Sequence, residues 1–83
     1  MGRSNRARPK RLGVKLRQIR TSLGLTQPEM IKKLAVKSAR LHPSNISEFE
    51  SNRREPSLLV LLRYARIAGV STDVLIDDRL KLD

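Results

Sequence analysis

Apolar residues in this chain of 83 recur at helical spacing, and no alternating run survives that spacing as a strand candidate. That excludes a half-buried sheet and leaves an all-α fold. Leu12, Leu16, Ile19 and Leu23 fall on one helical face. Pro9 ahead of them suits a helix start and Gly24 behind them a left-handed stop. The first helix is therefore expected from Lys10 to Leu23, with Lys15, Arg17, Gln18 and Arg20 turned mostly outward. Gly13 inside it costs about 1 kcal/mol relative to Ala, so the first turn is expected to fray.

The punctuation continues along the chain. Thr26-Gln27-Pro28-Glu29 has the form of a capping box, in which the Thr26 hydroxyl accepts from the third helical amide and Glu29 reaches back to the cap. A second helix follows with Met30, Ile31 and Leu34 inward, ending near Ala35 or Val36. Lys37 to Leu41 then reads as a connector. Pro43 suits the first position of a third helix, over 43–50, and puts His42 at its N-cap. Ile46, Phe49 and in part Glu50 face inward there, whereas Ser44, Asn45, Ser47 and Glu48 face out. A helix so short is unstable alone and needs tertiary support. Ser57 caps a fourth helix, stopped by Gly69, with Leu58, Leu61, Leu62, Ala65 and Ala68 as its apolar face. A short last helix over 73–76 follows a Ser71 or Thr72 cap.

Composition sets the class of partner. Eighteen Lys and Arg stand against eight Asp and Glu, a formal net charge of +10. Such a balance calls for a polyanion: DNA, RNA or an anionic membrane. Charge alone does not choose among them. No segment is the strongly apolar helix with a basic face that a membrane surface would take, so no membrane partner is expected. One Tyr and one Phe cannot build a stacking platform for single strands. With no Cys and a single His, neither a disulfide nor a zinc site is expected, and no cofactor is implied. The scattered carboxylates lack catalytic or calcium-loop spacing, and the serines lack a base. An enzyme is therefore not expected. A chain without staples and with this charge is expected in the cytoplasm.

Four motifs, in this order and spacing, carry a resemblance. They are Gly24-Leu25-Thr26-Gln27, Ile46-Ser47 with Glu50, Arg53-Arg54-Glu55-Pro56-Ser57-Leu58, and Ala68-Gly69-Val70-Ser71-Thr72-Asp73. Together they resemble the Cro/C1-type helix-turn-helix family of lambdoid phage repressors and their bacterial relatives, over about Leu12 to Ile76. The resemblance implies a compact five-helix lambda-repressor-like DNA-binding domain. It also implies a transcriptional regulator, a repressor on a palindromic operator, bound as a homodimer with helix 43–50 in the major groove of double-stranded DNA. Base edges would be read by Pro43, Ser44, Asn45, Ser47 and Glu48. Gln27 would bind a phosphate at a helix N-terminus, and Asn52, Arg53 and Arg54 would grip phosphates beyond the groove. Arg20 and Glu50 match a family ion pair that orients the third helix. Relatives dimerise through the last helix and the loop before it, here Val70 to Ile76 and the tail.

The sequence departs from the family at three places. Ala35 replaces the usual glycine of the turn, Ile31 replaces a small residue, and residues 37–41 lengthen the tight turn. The inserted Lys37 and Arg40 would add phosphate contacts. The expected organisation is a disordered basic arm over 1–9, a helix-turn-helix domain over 10–76 and a charged tail over 77–83. Arg3, Arg6, Arg8, Lys10 and Arg11 would follow the DNA backbone or enter the minor groove, or else serve only as a solubilising tail. The competing function is an antitoxin-like or adaptor module that holds a protein partner through the acidic, partly apolar tail.

Overall fold

Helix periodicity is realised throughout the computed structural model, which describes residues 8–82. Five helices form: α1 Leu12–Ser22, α2 Gln27–Leu34, α3 Pro43–Glu50, α4 Leu58–Ala68 and α5 Thr72–Ile76. No strand occurs among the described residues. The core is aliphatic around two aromatic rings, Phe49 and Tyr64, with Leu16, Met30, Leu34, Ile46, Val60, Tyr64 and Leu75 fully buried.

α1 is shorter than its periodicity suggests, and the cause lies at the other end of the chain. Arg11 at the cap position offers no side-chain cap. Instead the Asp78 carboxylate accepts from the amides of Lys10 and Arg11, at 2.9 and 3.0 Å. The same two segments are joined again in reverse. Lys15, expected to point outward, is only 5% exposed. Its Nζ donates to the carbonyls of Val74 (2.7 Å) and Asp77 (3.0 Å), closing the C-terminal end of α5. A cation at a helix C-terminus is favourable, and burial of the charge is tolerated because it is hydrogen-bonded. Residues 77–82 are thus fastened to the domain, with Leu82 packed on the core. Asp83 lies outside the described residues.

Gly13 does not mark a frayed turn. It is buried in the first turn of α1 where α1 crosses the end of α3. A Cβ there would lie 2.6 Å from the Glu50 carbonyl oxygen and 2.8 Å from that of Phe49. Close approach, not backbone freedom, requires the glycine.

α2 starts with both halves of its capping box: Glu29 N–H donates to Thr26 Oγ1 at 3.2 Å, and Thr26 N–H donates to Glu29 Oε1 at 2.8 Å. It ends at Ala35, held in the left-handed conformation at φ 53°. Arg63 of α4 satisfies one orphaned carbonyl of this end, donating from Nε to Leu34 at 2.9 Å. The connector is not featureless. Lys37–Ala39 form a 3-10 turn, Arg40 is left-handed at φ 46°, and Val36, Ala39 and Leu41 pack against the core.

α4 is capped by Ser57, whose Oγ accepts from Val60 N–H at 3.3 Å. Leu61 and Ala65 are buried as expected, but Leu58 is 84% exposed. It shares their face of the helix yet sits in the first turn, overhanging a cleft lined by Pro9, Leu12, Leu61 and Ile76.

Candidate nucleic-acid interface

α3 begins with Pro43 and turns Ile46 and Phe49 into the core, leaving a polar outer side. At about 1.5 Å per residue its eight residues span about 12 Å. With its side chains a helix is about 10–12 Å across, which fits the roughly 12 Å width of the B-DNA major groove. Pro43, Ser44 and Ser47 are exposed along the outermost ridge, and Asn45 and Glu48 lie half-buried beside it. The five residues the sequence singles out for base reading are therefore not equivalent.

Asn45 supplies the reciprocal half of a capping box with His42, its Oδ1 accepting from His42 N–H at 3.0 Å. The other end of that amide, Nδ2, donates to Glu48 Oε1 at 3.2 Å. Glu48 Oε1 also stands 3.8 Å from Arg54 Nη1. The loop after α3 is fastened to the same residue through its backbone, Arg53 N–H donating to the Glu48 carbonyl at 2.9 Å.

Basic side chains stand at both ends of this ridge. Lys37 and Arg40 are exposed in the connector before it, and Arg53 and Arg54 in the loop behind it. Asn52 differs from these neighbours. It adopts φ 62°, its Oδ1 accepts from Gly13 N–H at 3.0 Å, and its Nδ2 donates to the Lys10 carbonyl at 2.9 Å. One end of the amide is spent on α1 and the other on the segment just ahead of it. Asn52 thereby sets the root of the basic arm beside the loop that carries Arg53 and Arg54. Lys10 and Arg11 are exposed there, and Arg8 pairs with Glu55 at 3.7 Å. Arg3 and Arg6 lie outside the described residues.

Arg20 and Glu50 form a two-pronged pair, Nε to Oε2 at 2.6 Å and Nη2 to Oε1 at 3.0 Å. The Arg20 Nη1 donates to the Leu25 carbonyl at 2.9 Å. One guanidinium thus joins the last turn of α3 to the segment leading into α2. Gln27, two residues beyond Leu25, is half-buried in the first turn of α2. The hydrogen bonds that Arg20 donates to Glu50 raise its pKa above the ordinary value. Behind the pair lies Tyr64, whose pKa is pushed up first by burial and then by the Glu50 carboxylate. Its buried hydroxyl has no hydrogen-bond partner among the described residues.

No group of three His, Cys, Asp or Glu side chains able to hold a metal occurs among the described residues. No described helix is long and apolar enough to cross a membrane.

The family assignment rests on sequence. The helix-turn-helix family profile matches residues 16–75, from the middle of α1 into α5. This chain belongs to the Cro/C1-type helix-turn-helix family. It is similar to the HTH-type transcriptional regulator ImmR of Bacillus subtilis (strain 168), 34% identical over 65 residues. That match takes in 78% of this chain and 47% of the relative, so the chain spans about half the relative's length.

Sequence reasoning missed Gly13, Lys15, Asp78 and the double engagement of Asn45 and Asn52. A signal existed for Asn45, since the third helical position is where a capping-box partner belongs. Nothing local points to Asp78, whose role depends on a contact across 68 residues of chain.

Proposed function

We propose that this chain is a transcriptional repressor that binds a palindromic operator in double-stranded DNA as a homodimer, with α3 in the major groove. The carrying observation is the polar outer ridge of α3 with exposed basic residues at both ends. Pro43, Ser44, Ser47 and Glu48 meet base edges. Gln27, Lys37, Arg40, Arg53 and Arg54 meet phosphates, and Asn52 aims the loop that bears the last two. Arg3, Arg6, Arg8, Lys10 and Arg11 extend the positive track as a basic arm.

The second copy docks on the overhanging Leu58 and on Ile76, which is 44% exposed at the same cleft. Val70, in contrast, packs on the core and Leu75 is buried. A protein partner held through the tail is disfavoured, because Asp78 is engaged with the amides of Lys10 and Arg11 ahead of α1 and Asp77 with Arg79. The reading places the protein in the cytoplasm with its DNA.

Selection from a randomised duplex pool, with gel shifts at two salt concentrations, tests this. Arg53→Ala weakens all sequences alike and lowers the salt slope by about one. Glu48→Ala changes which sequences bind. Leu58→Glu sediments as a monomer where the parent sediments as a dimer. Equal affinity of the parent for every sequence would refute specific binding, and a monomeric parent bound to DNA would refute the dimer.

A further inference from the structure

The recognition helix carries two residues, Asn45 and Glu48, that on chemistry alone read bases independently. Asn pairs with adenine through both ends of its amide, and Glu accepts from cytosine. The hydrogen bonds leave only one of them able to do so. His42 N–H can only donate, so the amide end facing it is the oxygen and the amide nitrogen is turned toward Glu48. An adenine pair needs both ends free; both are taken.

Glu48 is in the complementary position. Its Oε1 is held from one side by Asn45 Nδ2 at 3.2 Å and approached from the other by Arg54 at 3.8 Å. No hydrogen bond between described residues engages Oε2. A carboxylate oxygen cannot donate, so in the major groove it repels the N7, O6 and O4 acceptors and is matched only by an exocyclic amino group. On adenine that group stands beside the N7 acceptor of the same base; on cytosine the neighbour on the same base is a C–H rather than an acceptor. Arg54 offsets the repulsion between the carboxylate and nearby phosphates.

We propose that Asn45 is a positioning residue that aims Glu48 Oε2 at a cytosine amino group, so that one base position is read by the pair and none by Asn45 itself. This rests on the major-groove placement of α3 proposed above. Asn45 does two jobs at once, starting the helix through His42 and fixing the reader one turn later. Arg54, on a loop hydrogen-bonded to the Glu48 backbone, completes the holder.

Asn45→Asp separates the two jobs. A carboxylate oxygen keeps the bond from His42 N–H and suits a helix N-terminus. It loses the Nδ2 donor and repels Glu48. Duplex selection on the parent, Glu48→Ala and Asn45→Asp is read as base preference at each position, with circular dichroism melts confirming the fold. The parent prefers cytosine at one position of each half-site on the order of tenfold or more. Both variants lose that preference to within about twofold there, and keep the parental preferences elsewhere. The proposal is overturned if Asn45→Asp keeps the cytosine preference that Glu48→Ala abolishes. It is also overturned if Asn45→Asp removes an adenine preference at a separate position. A parent with no preference at any position refutes instead the underlying DNA-reading assignment.

Discussion

Gly13→Ala pits local helix propensity against tertiary packing, and the structure says which wins. An alanine inside a helix gains about 1 kcal/mol over glycine. The new methyl, however, would sit 2.6 Å from the Glu50 carbonyl oxygen, 2.8 Å from that of Phe49 and 2.9 Å from Asn52 Oδ1. Ordinary van der Waals contact begins at 3.4 Å, so the two carbonyls must retreat by roughly 0.8 and 0.6 Å. Both belong to backbone at the end of α3, which is fixed by the Arg20–Glu50 pair. Overpacking of this kind costs about 1–3 kcal/mol, at the upper end when backbone must move. After the propensity gain, net destabilisation of about 1–2 kcal/mol remains. Shifting α1 off α3 also disturbs the Gly13 N–H bond to Asn52, which orients the basic loop. Urea unfolding of parent and variant measures the stability change, and a gel shift measures DNA affinity, which is expected to fall. A variant as stable as the parent or more so would refute the close-approach argument and return Gly13 to an ordinary helix defect.

Other perturbations separate the forces holding the interface. Arg20→Met strands a Glu50 side chain that is only 7% exposed and should cost about 3–5 kcal/mol. Pairing it with Glu50→Leu should recover most of that in a denaturation cycle, and a loss equal to the sum of the single changes would count against the pair. Ala35→Gly relieves a left-handed alanine worth about 1–2 kcal/mol, less the greater chain entropy of glycine, for a net gain of about 0.5–1 kcal/mol in urea unfolding. Tyr64→Phe removes a buried hydroxyl without a partner among the described residues and should leave stability equal or raise it by about 1 kcal/mol. A loss above that would reveal a hydrogen bond to the hydroxyl. In acid, Glu29, Asp77 and Asp78 act together, because hydrogen bonds hold each below the ordinary carboxylate range: from the Thr26 amide, from Arg79, and from the amides of Lys10 and Arg11. A depressed folded pKa contributes stability that is fully present above the unfolded value of about 4 and is lost as pH falls through the folded value. The melting temperature should therefore hold from neutrality to about pH 5 and then decline, and Asp78→Asn should start lower and decline less.

The fold was legible wherever a rule acts within one turn. The capping box of α2, Pro43 at the start of α3, Ser57 before α4 and Gly69 behind it are local signals, and those ends fall where the residues indicate. Long-range partners were not legible. Lys15, three residues after Leu12 and four before Ile19, lies on the apolar side of α1, but its charge argues for solvent, and only the carbonyls at the end of α5 give that charge internal partners. Leu58 has the right helical phase, but phase does not reveal that the core ends before it. The connector used Ala35 and Arg40 where a left-handed turn ordinarily shows glycine or asparagine, so it offered no turn signature. Residue types in α3 were readable as base-compatible. Their division into an outer ridge and an internally bonded flank was not, because it depends on where Oδ1 and Nδ2 of one amide go.

The lengthened connector raises the question of what fixes α3, since in a tight turn the preceding helix would do so. Here the anchors lie at the opposite end. Glu50 is held by Arg20, the Phe49 and Glu50 carbonyls abut Gly13, and Asn52 is bonded to Gly13 of α1 and to Lys10 just ahead of it. These contacts fix the last turn against α1, while Ile46 and Phe49 fix the rotation about the helix axis. The connector has only to reach Pro43 and to bury Val36, Ala39 and Leu41 on the way. Loop closure cost grows slowly with length, so added residues are tolerated once the helix is positioned from behind. The same logic explains why the additional residues are basic and exposed at Lys37 and Arg40. A connector released from positioning the helix is free to carry exposed positive charge.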